Sequence, residues 1–135
     1  MTETSPLITA IPSRGRKRVG SVGLPLLNTD IRLIDPSTGK PAEPGQPGEI
    51  CVKGPQVMLG YQNKPAETRQ AFDADGYFHT GDVAIQDSDG YLRIVGRTKD
   101  MIVAGGFKVS STKVEEVLSR HPAVHMAALI GIPNP

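Results

Sequence analysis

Cysteine is almost missing from this sequence. The single Cys51 excludes an internal disulfide framework and fits a reducing compartment. Charge of one sign is not in excess either. Lys and Arg number 15 against 14 Asp and Glu, for a formal net charge of +1, so the balance calls for no nucleic acid or other polyanion. No apolar run approaches the roughly 20 residues that a membrane span needs. The first five residues have neither a basic region nor a long apolar stretch, so no secretory signal is visible. These absences point to a cytoplasmic protein without a transmembrane segment, with peripheral attachment to a membrane left open.

What is present suits a folded chain of short strands. With 135 residues, 38% hydrophobic and 21% charged, the sequence supports one ordinary domain core and argues against global disorder. Its 15 glycines and 12 prolines favour strands joined by turns over long helices. No internal repeat stands out.

Residues 1–20 read as an irregular polar segment. Arg14, Arg16, Lys17 and Arg18 form a basic cluster there. Without interleaved aromatics it reads as a solvated loop in preference to a phosphate patch. Asp30 to Asp35 alternates with period two, the pattern of a half-buried strand. Gly48 to Gly54 is a second strand bounded by glycines. Pro65 to Phe72 predicts a short helix with proline in its first turn. Asp82 to Gln86 and Tyr91 to Val95 predict a hairpin closed by Asp87-Ser88-Asp89-Gly90. Met101 to Val103 is a short strand that Gly105-Gly106 breaks. Thr112 to Arg120 predicts an amphipathic helix, with Thr112 and Glu115 as a capping box. The apolar run Ala123 to Ile130 predicts a last core strand, left without a partner where the chain ends. The fold class is therefore mixed α+β: a small barrel or antiparallel sheet of short strands, with a boundary near Arg97-Thr98-Lys99 where a strand–helix–strand pattern takes over.

The residues themselves leave chemistry open. Cys51 sits mid-strand, more in the manner of a core residue than a nucleophile. His79, His121 and His125 show no metal-ligand spacing with cysteine or a carboxylate cluster. Asp82 just past Thr80-Gly81, and Arg97 just past Gly96, suit a ribose or phosphate site as well as ordinary turn and surface roles.

Four segments in order narrow the choice. They are Met1-Thr2-Glu3-Thr4-Ser5-Pro6; Gly48-Glu49-Ile50-Cys51-Val52-Lys53-Gly54-Pro55 with Gly60-Tyr61; Gly76-Tyr77-Phe78-His79-Thr80-Gly81-Asp82; and Gly96-Arg97-Thr98-Lys99-Asp100 through Gly105-Gly106-Phe107-Lys108 to Glu115-Glu116. Together they resemble the acyl-CoA synthetase family of adenylate-forming enzymes, which includes luciferases and peptide-synthetase adenylation domains. The phrasing around Gly106 to Val109 and Ile130 to Pro135 is most similar to bacterial fatty-acyl-CoA ligases.

The resemblance implies a small distorted β-barrel subdomain within residues 1–98, the end of a large nucleotide-binding domain, then the opening strand–helix–strand of an incomplete α/β lid domain over 99–135. It implies ATP-dependent joining of a carboxylic acid to AMP and then to CoA, with Mg²⁺ as cofactor. It implies that Thr2 meets the α-phosphate, Glu3 binds Mg²⁺, and Asp82 and Arg97 contact the nucleotide. Lys99 falls at the family's hinge, Gly105-Gly106 at the pantetheine channel, and Lys108 near the CoA nucleotide. His79 falls on a variable position of the Thr-Gly-Asp motif. No catalytic residue is assigned within the chain. The family's phosphate loop and distal lysine match nothing in it, so an internal fragment, inactive alone, is the expectation. Two rivals remain: an enzyme that loads a carrier protein, and a non-catalytic remnant or interaction module.

Overall fold

Alternating apolar residues build the central sheet. In the computed structural model, which describes residues 1–104 and 107–132 (backbone alone at 103, 104, 107 and 108), the strands are β1 (Thr9–Ala10), β2 (Leu24–Pro25), β3 (Asp30–Ile34), β4 (Gly48–Lys53), β5 (Phe78–Gln86), β6 (Leu92–Arg97), β7 (Met101–Ala104) and β8 (Phe107–Ser110). The helices are α1 (Pro65–Ala71) and α2 (Ser111–Ser119), with short 3₁₀ turns at Thr2–Thr4 and Thr98–Asp100. Strands β3-β4-β5-β6 form one antiparallel sheet; β1-β2 and β7-β8 are two-stranded.

Period two sorts this sheet into two faces. Ile31 and Leu33 on β3 lie opposite Val52 and Ile50 on β4. Ile50, Ala84 and Leu92 form the buried cluster, with Ile8, Ile31 and Leu33 packed on it. The other face is polar: Arg32 lies opposite Cys51, and Cys51 opposite His79. β4 is central, which is why Ile50, Cys51 and Val52 are all buried whichever face they point to.

The expected barrel closure is not among the described ladders. β3 and β6 are the two ends of the four-strand order and do not pair with each other. Instead the segment before β2 joins the β6 edge: Val22 N–H donates to the Leu92 carbonyl at 2.8 Å, and Leu92 N–H to that of Gly23 at 3.0 Å. That edge is satisfied by a local segment. Gly23 is required there, because its φ is +96° and a Cβ would fall 2.0 Å from the Ala10 carbonyl oxygen.

A repeat does exist. Asp73-Ala74-Asp75-Gly76-Tyr77 and Asp87-Ser88-Asp89-Gly90-Tyr91 make the same turn. In each, the first aspartate's Oδ1 accepts the N–H groups two and four residues on, at 2.8–3.0 Å. In each, an arginine covers the tyrosine ring and pairs with the turn's carboxylates: Arg32 over Tyr77 with Asp75, Arg18 over Tyr91 with Asp87 and Asp89. Arg18 therefore anchors the basic segment to the β5–β6 turn; it is not a solvated loop residue.

Two expectations fail at the C-terminal end. Among the described residues, 123–130 form no strand. The contact they make with the preceding helix is a side-chain one: Leu129 N–H donates to Glu115 Oε1 at 2.8 Å. That bond also removes the capping box. The helix begins at Ser111 with Ser110 as its cap and no side-chain cap bond, and the Glu115 carboxylate is turned to the following segment. His125, within the predicted strand, is accordingly not a strand residue, while His121 N–H bonds the Leu118 carbonyl just past the helix end.

Candidate nucleotide site

Asp82 is placed by an irregularity in β5. Glu49 pairs with Val83 and Cys51 with His79, so Ile50 alone faces Thr80, Gly81 and Asp82. Such a bulge breaks the ladder and leaves backbone groups in need of other partners. Side chains supply them. Thr80 Oγ1 donates to the Ile50 carbonyl at 2.8 Å and accepts Asp82 N–H at 3.1 Å. Gly81 N–H donates to Glu49 Oε1 at 2.9 Å, and the Gly81 carbonyl accepts Thr98 Oγ1 at 3.0 Å. Gly81 sits at φ +74°, a conformation that disfavours a residue with a Cβ. The sequence expectation started this strand at Asp82; Thr80-Gly81 reads as a turn but is a bulge inside a strand that begins at Phe78.

The bulge sets Asp82 opposite Arg97 on β6. Arg97 Nε donates to Asp82 Oδ1 at 3.0 Å, with the Asp82 side chain 31% exposed and that of Arg97 51%. A carboxylate and a guanidinium edge thus stand side by side and reach solvent. Asp82 also lines a cavity of about 200 Å³ with Met1, Pro6, Ile8 and Ile94. The N-terminal segment and the bulge therefore share one cavity.

Thr2 is exposed and Glu3 half-buried on the 3₁₀ turn. That turn is tied to the loop after β4: Met58 N–H donates to the Glu3 carbonyl at 2.8 Å, and the Tyr61 hydroxyl to Glu3 Oε1 at 3.3 Å. Burial, then the Glu3 charge, raises the Tyr61 pKa. Lys99 is exposed in the middle of the 3₁₀ turn between β6 and β7. Gly105 and Gly106 lie outside the described residues, and so does the side chain of Lys108.

One group went unseen in the sequence. Glu49, Cys51 and His79 bring their ligand atoms within 4.8 Å of one another. His79 Nδ1 lies 3.0 Å from Glu49 Oε2 and 3.4 Å from Cys51 Sγ. Glu49 and Cys51 are two residues apart on β4, and His79, 28 residues beyond Cys51, meets them across the β4–β5 ladder. They could in principle ligate a soft divalent cation, but burial first, and then the Glu49 and Asp73 charges, push the Cys51 thiol up to about 12. A protonated thiol is a poor ligand, and Glu49 is already spent on Gly81 and His79.

The Cys51 environment has a measurable consequence. In the unfolded chain the thiol ionises near 9.0, whereas the folded protein holds its proton to about 12. Stability tied to Cys51 is therefore intact below pH 9 and is lost as pH rises toward 12. Urea melts across this range should fall more steeply for the wild type than for Cys51→Ala. At pH 8 a thiol reagent should modify Cys51 only after unfolding; equal slopes and rapid labelling of the folded protein would contradict this environment.

Residues 1–62 match the family described as AMP-binding enzyme. The chain is 45% identical over 134 residues to a long-chain-fatty-acid–CoA ligase of Escherichia coli O6:H1, covering 99% of this chain and 24% of that protein. The chain is thus similar to AMP-binding enzymes. It is also 44% identical over 136 residues to a feruloyl-CoA synthase of an Amycolatopsis species, covering 100% of this chain and 27% of the relative. It thus spans about a quarter of the length of the curated relatives it matches.

Solved structures show the same likeness. ATP-bound MatB from Rhodopseudomonas palustris superposes with TM-score 0.86 at 41% identity, over 98% of this chain and 26% of that one. The o-succinylbenzoate CoA synthetase of Bacillus subtilis, bound to its acyl-adenylate, superposes with TM-score 0.83 at 36% identity, over 100% of this chain and 28% of that one. Such relatives are acid–thiol ligases, and this chain shares the mixed α+β fold of the part it covers. No helix among its described residues is long and apolar enough to cross a membrane.

Proposed function

We propose that this chain is part of an ATP-dependent acyl-CoA ligase that activates a long-chain fatty acid as acyl-AMP and passes the acyl group to CoA. The observation that carries the reading is the Asp82–Arg97 pair at 3.0 Å, in which Asp82 sits on a bulge and lines a cavity with Met1 and Pro6 of the N-terminal segment. Asp82 accepts hydrogen bonds from the ribose hydroxyls. Arg97 lies beside it as a rigid fork of donors for ribose or phosphate oxygens. Thr2 offers its hydroxyl to the α-phosphate, where charge accumulates as the acid attacks phosphorus and pyrophosphate leaves. Glu3 presents a carboxylate oxygen, the ligand type Mg²⁺ takes, and the ion when bound offsets phosphate charge.

Residues 1–98 then belong to the large nucleotide-binding domain and residues 99–135 to the lid. Lys99, exposed on a short turn between two strand pairs, is the hinge. Gly106 and Lys108 belong to that lid segment in sequence and are assigned to CoA binding by the family resemblance. The fatty-acid choice rests on the likeness to long-chain ligases, and the equal likeness to a feruloyl-CoA synthase sets the competing substrate class.

The test is product analysis of the full-length enzyme given ATP, CoA, saturated fatty acids of graded length and ferulic acid. Long-chain acyl-CoA is expected to exceed feruloyl-CoA on the order of tenfold or more in kcat/KM. Feruloyl-CoA as the main product would overturn the fatty-acid assignment. Acyl-AMP that never becomes a CoA thioester would point to a carrier-protein acceptor.

A further inference from the structure

The Thr80-Gly81-Asp82 bulge is held at Gly81 from both sides. Its N–H is taken by Glu49 Oε1 at 2.9 Å and its carbonyl by Thr98 Oγ1 at 3.0 Å. Glu49 comes from the neighbouring strand, and its side chain is only 12% exposed. Its second oxygen meets His79 Nδ1 at 3.0 Å. A shielded carboxylate bonded to a backbone N–H is among the stronger hydrogen bonds available. It also stands where the ladder is broken, so no strand partner replaces it if it is removed. Gly81 immediately precedes Asp82, and its dihedral angles set the direction in which the Asp82 carboxylate leaves the strand.

We propose that Glu49 is a positioning residue for the nucleotide: by fixing Gly81 it aims Asp82 at the ribose. Glu49 need not touch the nucleotide. Thr98 completes the clamp from the turn that contains Lys99, so the aim of Asp82 is coupled to the conformation of that turn. This inference rests on the reading of Asp82 as the ribose contact.

The experiment uses the full-length enzyme and pyrophosphate release, comparing ATP with 2′-deoxy-ATP. Glu49→Ala is expected to raise KM for ATP on the order of tenfold, the cost of one charge-assisted hydrogen bond. The preference for ATP over 2′-deoxy-ATP should fall by a similar factor, with KM for the carboxylic acid unchanged. Glu49→Gln keeps an acceptor for Gly81 and should restore both values to within about threefold. Asp82→Ala provides the reference phenotype. If Glu49→Ala does not melt cooperatively, Thr98→Val is read in its place, since it removes the other bond on Gly81 without touching β4.

Unchanged ATP preference in Glu49→Ala beside an impaired Asp82→Ala would overturn the role of Glu49 alone. Unchanged ATP preference in Asp82→Ala would overturn the ribose reading and this inference with it. A glutamine variant as impaired as alanine, or an equal rise in both substrates' KM, would reduce Glu49 to a general structural role and also overturn the proposal.

Discussion

Asp82→Ala in the full-length enzyme is expected to lower kcat/KM for ATP about 100-fold, about 2.7 kcal/mol of lost transition-state stabilisation. The size follows from the geometry. The carboxylate is half-buried and lies 3.0 Å from Arg97. Two ribose hydroxyls would each lose a charge-assisted acceptor, at about 1.5–3 kcal/mol apiece before relaxation. Arg97 would also lose the partner that holds it beside the site. The fold should survive, because Asp82 uses only its backbone N–H in the bulge, on Thr80. Pyrophosphate release at varied ATP, with a thermal melt of each variant, reads both effects. A fold-change under about threefold with the melt preserved would take Asp82 out of the nucleotide site.

Lys99→Pro is expected to separate the two half-reactions. Lys99 is the middle residue of the Thr98–Asp100 turn. Proline would fix φ near −65° and push Thr98 toward extended backbone. Thr98 bonds Gly81 and so joins the turn to the nucleotide side. A chain that must rotate here between two working poses should lose one of them. Family resemblance places the loss on the second step. Acyl-AMP should form near the normal rate, while thioester formation from it falls on the order of tenfold or more, at least about 1.4 kcal/mol. Pyrophosphate release without CoA times the first step, and synthetic acyl-AMP supplied with CoA times the second. Equal loss in both would mean that proline had only disturbed Thr98 and Gly81. No loss in either would remove Lys99 as the hinge.

Sequence legibility followed the physics of each element. β3 and the β5–β6 hairpin were readable because alternation and an Asp-Gly turn are local signals, complete within a few residues. The start of β5 was not, since Thr80-Gly81 has turn composition and only the register against Glu49 and Cys51 turns it into a bulge. The Asp-x-Asp-Gly-Tyr repeat was available to the eye, two five-residue strings of one pattern, but a search for long repeats passes over it. Residues 123–130 have strand composition, yet their described backbone joins no ladder. An unpaired apolar run has no local feature that tells strand from extended coil.

The candidate site divides the same way. Thr2, Glu3, Asp82 and Arg97 were assigned through motif order, which tracks chemistry. That Asp82 and Arg97 stand opposite each other depends on ladder register, as does the meeting of Glu49 with His79 and Gly81. Residue types 30 and 32 positions apart give no sign of contact until the strands are paired.

AMP-forming activation of a carboxylic acid leaves a distinctive set of nucleotide products. It is tested most directly by giving the full-length enzyme ATP, Mg²⁺ and a long-chain fatty acid with no CoA, and identifying the nucleotide products. Pyrophosphate and enzyme-bound acyl-AMP are expected, both strongly reduced in Asp82→Ala. Fatty-acid-dependent formation of ADP and phosphate, with no pyrophosphate, would contradict it.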